Sequence, residues 1–174
     1  LFRSTAIEIM PGDTESSPDV ARTAGERLSA AGAHMLMGAF DSGQTTTLAQ
    51  VAEQRGIPLV VSIAAAPPIT EQGYKFIVRN FPRAPEIVSG AFDVQKQLFA
   101  ATGKTPTKAV VLNANDTYGM TIKAALGPVA EAMKMPYQIV DSITYDVQAR
   151  DLSVEVAKAK ATGAELVLAV SRDR

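Results

Sequence analysis

Short apolar segments alternate with amphipathic helical segments along the chain, and this alternation constrains the fold more than any other feature. The pattern predicts strands at 6–10, 34–37, 59–63, 76–79, 108–112, 137–145 and 165–170, and helices at 18–31, 44–55, 85–101, 120–133 and 151–161. Such alternation is typical of parallel sheets with right-handed crossovers. The sequence therefore predicts an α/β protein.

A proline-bracketed segment interrupts this alternation. Phe81-Pro82-Arg83-Ala84-Pro85 places two prolines within four positions, which favours a stiff crossing between two bodies. We therefore expect two doubly wound lobes. Residues 1–81 are expected in the first lobe, residues 82–85 in a hinge crossing, and residues 86–174 in the second lobe.

Individual residues mark helix ends and faces. Ser17 is expected to be an N-cap with Pro18 at the first helical position, and Asp151 is expected to cap the last helix. Gly56 is the expected stop of the second helix, and Pro128 should kink or restart the helix at 120–133. Two sets of apolar residues are expected to face inward on their helices: Leu48, Val51 and Ala52; and Ile87, Ala91, Val94 and Leu98.

Two loops of small residues follow neighbouring predicted strands, at Gly38–Thr47 and at Ser62–Ala66. In an open α/β sheet, ligands bind beyond the carboxyl ends of the strands. The helix after the first loop is expected to begin with unpaired N–H groups and a positive dipole end. These loops therefore predict a site for a small polar ligand with a carboxylate. Ser42 could instead be only an N-cap, and both roles can coexist on one oxygen.

Composition excludes several other classes of function. The 174 residues carry a net charge of −1 with both signs interspersed, so no basic surface indicates nucleic acid. Cysteine is absent, which excludes disulfides, thiol nucleophiles and cysteine zinc sites. The aspartates are dispersed, and no G-x-G-x-x-G motif is present, so we expect neither a metal nor a cofactor. No apolar run approaches the length of a membrane span, and no export signal opens the chain.

A serine hydrolase is the enzyme that the sequence most nearly suggests. The G-x-S-x-G elbow would need glycine where Phe40 stands. The single histidine, His34, precedes Ser42 by eight residues, which span roughly 26 Å when extended. His34 could not then act as the base for Ser42. We therefore expect no catalytic residues and no enzymatic activity.

Five stretches, taken in their order and spacing, resemble a known family. They are Gly38–Thr47, Val51–Pro58, Pro67–Thr70, Asn115–Gly119 and Asp151–Val170. Taken together, these stretches resemble the type I periplasmic solute-binding proteins of ABC transporters, the group of the leucine/isoleucine/valine-binding protein. The resemblance implies the type I periplasmic-binding-protein fold, with two doubly wound parallel-sheet lobes joined by a hinge. It also implies that this chain is a fragment, because family members begin with an earlier strand and extend further.

The resemblance also implies the residues of a ligand site. Carried over to this sequence, they are Ser42, Ala64, Ala65, Ala66 and Tyr118, and Phe40 and Gly43 beside Ser42 complete the set of candidates. In the family, the serine and the small residues hold the ligand's carboxylate and amino groups, and the aromatic comes from the second lobe. The family often has Ser or Thr among the small residues to hold an ammonium. The three alanines here leave room for a carboxylate ligand that lacks an amino group.

These expectations combine into one function. The chain is expected to belong to a periplasmic or extracellular solute-binding protein that captures a small carboxylate-bearing molecule, either an amino acid or an aromatic or other organic acid. The implied partner is the membrane permease of an ABC importer, and the protein is expected to be monomeric. A ligand-sensing domain of a receptor or transcription regulator with the same fold is the alternative.

Overall fold

A computed structural model describes residues 6–171. The strands in this part of the chain are β1 (Leu36–Met37), β2 (Leu59–Val61), β3 (Ile77–Arg79), β4 (Lys108–Ala114), β5 (Gln138–Tyr145) and β6 (Leu166–Val170). The helices are α1 (Pro18–Ala30), α2 (Ser42–Arg55), α3 (Ala84–Thr102), α4 (Thr117–Ala132) and α5 (Ser153–Ala161), with a short 3-10 turn at Pro67–Ile69.

The strands form two separate parallel sheets. One sheet has the order β1-β2-β3, and the other has the order β5-β4-β6. Crossover connections join successive strands of each sheet, as parallel pairing requires, and most of these connections contain an α-helix. The predicted α/β class with parallel sheets is confirmed.

The chain divides into two compact units. Within the described residues, unit 1 comprises 6–64 and 68–81, and unit 2 comprises 65–67 and 82–171. The predicted strands at 59–63 and 108–112 lie in different sheets. The use of residues 82–85 as a hinge between lobes stays a prediction.

Residues 6–10 have no regular secondary structure, so the strand predicted there is wrong. Ile7 and Ile9 are both strongly exposed. A strand is stable only when a neighbour completes its hydrogen bonds, and no strand within residues 6–171 pairs with this segment. Alternating apolar residues alone therefore did not suffice to form a strand.

Unit 1 packs two helices against each other and one helix against the sheet. Leu48, Val51 and Ala52 of α2 are buried, as predicted. The backbone of Gly25 in α1 lies so close to α2 that an added Cβ would meet Leu48 Cδ2 at 2.8 Å. Gly56 ends α2 in the left-handed conformation, with a φ of 67°. The predicted stop signal is confirmed, since glycine adopts this conformation without a steric penalty.

Of the face predicted for α3 of unit 2, Ile87 packs partly buried against the core, but the helix buries mainly a different face. Val88 and Phe92 are buried, whereas Val94 and Leu98 are 63% and 56% exposed. The rings of Phe92 and Phe99 each lie nearly perpendicular to the ring of Tyr137, at centroid distances of 6.3 and 6.4 Å. The helix carries two apolar stripes, and the stripe with the aromatic rings buries more area and forms the core.

Helix α4 runs without a break through Pro128, so the predicted restart is wrong. Pro128 removes one N–H donor, which leaves the carbonyl of Ala124 without its helical partner. Both residues are exposed, so water can hydrate that carbonyl. The helix continues only as far as Ala132, where it ends.

The two predicted caps have different outcomes. Ser17 caps α1 by accepting from the N–H of Val20, and Pro18 occupies the first turn, as predicted. Asp151 lies one residue before the N-cap position of α5, which is Leu152, so its predicted position is wrong. The Asp151 carboxylate nevertheless accepts from the N–H of Ser153 at 2.9 Å. Its hydrogen bonds with Ser153 lower the pKa of Asp151.

Candidate functional site

The loop after β1 leaves the carboxyl edge of the unit 1 sheet beside the loop after β2. Leu36 pairs with Leu59, and the N–H of Gly38 donates to Val60 O at 3.2 Å. Gly38 has a φ of 126°, a conformation that side chains rarely adopt, so glycine is needed there. The sheet therefore brings the start of both predicted loops to one edge.

Asp41, and not Ser42, is the N-cap of α2. Its carboxylate accepts from the N–H groups of Gly43 at 2.7 Å and Gln44 at 3.2 Å. The reading of Ser42 as an N-cap is therefore wrong. The expectation of unpaired N–H groups is also wrong for Gly43 and Gln44. A short carboxylate side chain competes effectively for these donors because it is already held beside them.

Ser42 occupies the first position of α2 and is only 1% exposed. Its Oγ atom is buried and has no hydrogen-bond partner among the described residues. A buried polar group without a partner costs about 1–3 kcal/mol. The hydroxyl of Ser42 therefore has hydrogen-bonding capacity that the described part of the chain does not use.

Thr45 organises the same loop, a role that was not predicted from the sequence. Its side chain is fully buried, and its Oγ1 accepts from the N–H of Ala39 at 3.1 Å. The hydroxyl lies 2.7 Å from Asp41 O and 3.1 Å from Ala39 O, to one of which it donates. A threonine four residues after an N-cap was the only sequence signal for this role.

The other unit 1 candidates differ in exposure. Phe40 is 66% exposed, while Gly43 is half-buried and Ala64 is buried. The carbonyl of Ala64 accepts from the guanidinium of Arg79, which also donates to Thr70 Oγ1 at 3.3 Å. Arg79 thus joins both ends of the segment that follows β2.

Ala65 and Ala66 belong to unit 2, and both are buried. The carbonyl of Ala65 accepts from the N–H of Ala84 at 2.9 Å. Within unit 2, this hydrogen bond fixes Ala65 to the start of α3.

Tyr118 lies in the first turn of α4 and packs partly buried against the core of unit 2. Asp116 caps this helix by accepting from the N–H of Gly119 at 2.7 Å. A Cβ at Gly119 would lie 2.3 Å from Ala114 O, so only glycine fits. Asn115 ties the loop to the one after β5, because its Oδ1 accepts from the N–H of Val147 at 2.9 Å. These contacts fix the backbone around Tyr118.

The candidate residues therefore fall into two groups. Phe40, Ser42, Gly43 and Ala64 lie in unit 1 at the carboxyl edge of its sheet, and Ala65, Ala66 and Tyr118 lie in unit 2. Their role in binding stays a prediction.

A separate cleft in unit 2 does not coincide with these residues. Its lining includes Gly127, Glu131, Lys134, Tyr137 and Ile139. The cleft lies where α4 ends and β5 begins. Tyr118 lies at the other end of α4, so the cleft is not part of the candidate site.

Within residues 6–171, no group of three His, Cys, Asp or Glu side chains could hold a metal ion. His34 is exposed ahead of β1.

The helices in this part of the chain are all too short or too polar to cross a membrane.

Residues 4–172 match the family described as periplasmic binding protein. Leu/Ile/Val-binding protein homolog 8 of Brucella abortus (strain 2308) is 24% identical over 173 residues, which cover 98% of this chain and 42% of that protein.

Two solved structures share the fold. An ABC transporter substrate-binding protein from Desulfitobacterium hafniense, in complex with Leu, has a TM-score of 0.68 at 22% identity, covering 93% of this chain and 46% of that one. A solute-binding protein from R. palustris, in complex with 4-hydroxybenzoate, has a TM-score of 0.75 at 19% identity, covering 88% of this chain and 39% of that one.

The chain spans less than half the length of the proteins that it matches. The predicted resemblance and the type I periplasmic-binding-protein fold are confirmed. Members of this family are solute-binding proteins and not enzymes. Because the family match extends over nearly all of its residues, the chain belongs to the periplasmic binding protein family.

Proposed function

We propose that this protein is the solute-binding component of an ABC importer and captures a small carboxylate-bearing molecule between two lobes. The observation that carries the proposal is the buried, unpartnered hydroxyl of Ser42 at the carboxyl edge of a parallel sheet. Ligands of open α/β sheets bind at this edge. Leucine and 4-hydroxybenzoate, which two structural neighbours bind, both carry a carboxylate.

Each candidate residue has a chemical role in this proposal. Ser42 donates its hydroxyl proton to the ligand carboxylate, and Gly43 lets the ligand approach because it has no side chain. Ala64–Ala66 line the site with small apolar groups. Phe40 and Tyr118 contribute aromatic surface, which is common in ligand pockets. The lobes close around the ligand by movement at residues 82–85.

Residues 64–66, in the loop after β2, favour an acid that lacks an amino group. Residues 64–66 have no hydroxyl side chain that could accept from an ammonium. The carbonyl of Ala64 is engaged by the Arg79 guanidinium, and that of Ala65 is engaged by the N–H of Ala84. A second cation near Ala64 O would also be repelled by the guanidinium. We therefore favour aromatic or other organic acids over amino acids.

Membership of the family supports the remaining proposed assignments. The proposed partner is the membrane permease of the importer, the proposed location is periplasmic or extracellular, and the proposed state is monomeric. No enzymatic activity is proposed, because the Ser42 hydroxyl has no hydrogen-bond partner, and so no general base, among residues 6–171.

The test is calorimetry on the full-length protein with leucine and with 4-methylpentanoate, which is the same skeleton without the amino group. We expect 4-methylpentanoate to bind more tightly. Ser42→Ala should weaken its binding by roughly 10- to 100-fold, since a hydrogen bond to a charged group contributes about 1.5–3 kcal/mol. The melting temperature of the ligand-free protein should not fall, because Asp41 and not Ser42 caps the helix and the hydroxyl that is removed is buried without a partner.

Ser29→Ala is the matched control. The Ser29 hydroxyl donates to Gly25 O within α1 at 2.6 Å, and its removal should leave affinity unchanged. Unchanged affinity in Ser42→Ala would contradict the proposed anchor. Tighter binding of leucine than of 4-methylpentanoate would contradict the ligand class alone.

A further inference from the structure

Thr45 is not among the residues that are proposed to contact the ligand, and its hydrogen bonds indicate a different role. We propose that Thr45 is a positioning residue, whose buried hydroxyl holds the loop at residues 38–41 in its binding conformation before a ligand arrives. This inference rests on the proposed function, because it concerns the loop that precedes Ser42.

Three consecutive threonines in α2 show why Thr45 is special. The hydroxyl of Thr46 donates to Ser42 O at 2.7 Å, and that of Thr47 lies 3.3 Å from Gly43 O. Both bonds stay within the helix. The hydroxyl of Thr45 instead accepts from the N–H of Ala39, outside the helix, while lying 2.7 Å from Asp41 O. Thr45 alone of the three thus connects the helix to the preceding loop.

The contacts of Thr45 continue to the proposed anchor. Asp41, whose carbonyl lies beside the Thr45 hydroxyl, also binds the first turn of α2 through its carboxylate. Ser42 follows directly in the chain. Both ends of the segment from Ala39 to Asp41 are therefore held by one side chain that no solvent reaches. A loop that is ordered beforehand lowers the entropy that a ligand must remove on binding.

The substitution that isolates the hydroxyl is Thr45→Val, which keeps the shape and removes both hydrogen bonds. We expect the dissociation constant for 4-methylpentanoate to rise by about tenfold, because the loop loses two hydrogen bonds and the partly buried N–H of Ala39 is left without this acceptor. Thr45→Ser keeps the hydroxyl and should restore binding to within about twofold of the wild type. Thr46→Val is the matched control and should also stay within about twofold.

Hydrogen exchange supplies a second measurement that needs no variant. In the ligand-free full-length protein, the amide of Ala39 should exchange slowly, because Thr45 Oγ1 accepts from it. Rapid exchange at Ala39 would overturn the proposal even if Thr45→Val fails to fold. Rapid exchange would also overturn the positioning role if the wild type binds neither 4-methylpentanoate nor leucine. That failure of binding contradicts the proposed function.

The binding data distinguish the remaining outcomes. Equal affinities of Thr45→Val and Thr46→Val would overturn the positioning role while leaving Ser42 as the proposed anchor. A Thr45→Ser variant as weak as Thr45→Val would show that the methyl group matters and not the hydroxyl, which also overturns the proposal. Weak Thr45→Val with rescue by Thr45→Ser supports it.

Discussion

Asp41 changes the chemistry expected at the start of α2. A carboxylate at the N-cap satisfies two N–H groups and stabilises the helix through its dipole. The same negative charge lies next to Ser42, the proposed anchor of a ligand carboxylate. The helix end therefore attracts an anion less than an uncharged cap would allow.

We expect Asp41→Asn to bind 4-methylpentanoate about 3- to 10-fold more tightly than the wild type. Asparagine preserves the cap, and removal of one nearby like charge is worth about 1 kcal/mol. Calorimetry at low and at high salt measures the gain, which should shrink as salt screens the charge. Asp19→Asn, in the first turn of α1, is the control. Weaker binding by Asp41→Asn would show that the charge does not oppose the ligand.

At the scale of elements, α3 shows how a helix with two apolar stripes selects its buried face. Ile87, Ala91, Val94 and Leu98 recur at helical spacing, yet Val94 and Leu98 remain exposed. The opposite stripe contains Phe92, whose ring meets Tyr137. The Tyr137 hydroxyl then donates to Gln95 on the same helix at 2.8 Å. Contacts with Tyr137, which directly precedes β5, therefore decide which face of α3 is buried.

Truncations on the two stripes should differ strongly in their effect on the free energy of unfolding. Phe92→Ala should cost about 3–5 kcal/mol, since it leaves a cavity in the core of unit 2. Leu98→Ala, on the exposed stripe of the same helix, should cost less than about 1 kcal/mol. Urea denaturation of the two variants and the wild type provides the comparison. Equal losses would indicate that the Leu98 stripe is also covered in the protein.

At the scale of the whole molecule, two compact units each have a parallel sheet of three strands in the described residues. The core of unit 2 includes one titratable side chain, Tyr137, whose burial raises its pKa to about 12. The ordinary pKa of tyrosine is about 10. The stabilising effect of the buried neutral phenol is therefore fully present below pH 10 and is lost as the pH rises from 10 to 12.

Alkaline titration of the unfolding free energy tests this expectation. The wild type should lose stability between pH 10 and 12 more steeply than Tyr137→Phe, whose ring cannot ionise. Tyr137→Phe also loses the hydrogen bond to Gln95, so it should be less stable at pH 8. Identical slopes for the two proteins above pH 10 would contradict the assignment of the raised pKa to Tyr137.

Local features were determined by the sequence itself. Strand–helix alternation predicted the parallel sheets, and Ser17 with Pro18 predicted the start of α1. Gly56 predicted the end of α2. These signals depend on residues within about four positions of one another, through side-chain caps, backbone conformation and helical period. Residues far away in the sequence have little influence on these local features.

Tertiary contacts decided which of the locally favoured structures formed and which side chains were buried. The alternating apolar residues at 6–10 lacked a strand to pair with, and α3 turned towards Tyr137. The sequence identified the loop at 38–47 as a candidate site, but it did not separate Asp41 as the cap from Ser42 as the buried hydroxyl. It also did not show that Thr45 reaches back to Ala39. Burial and side-chain direction depend on partners from other segments, and only the folded chain brings these together.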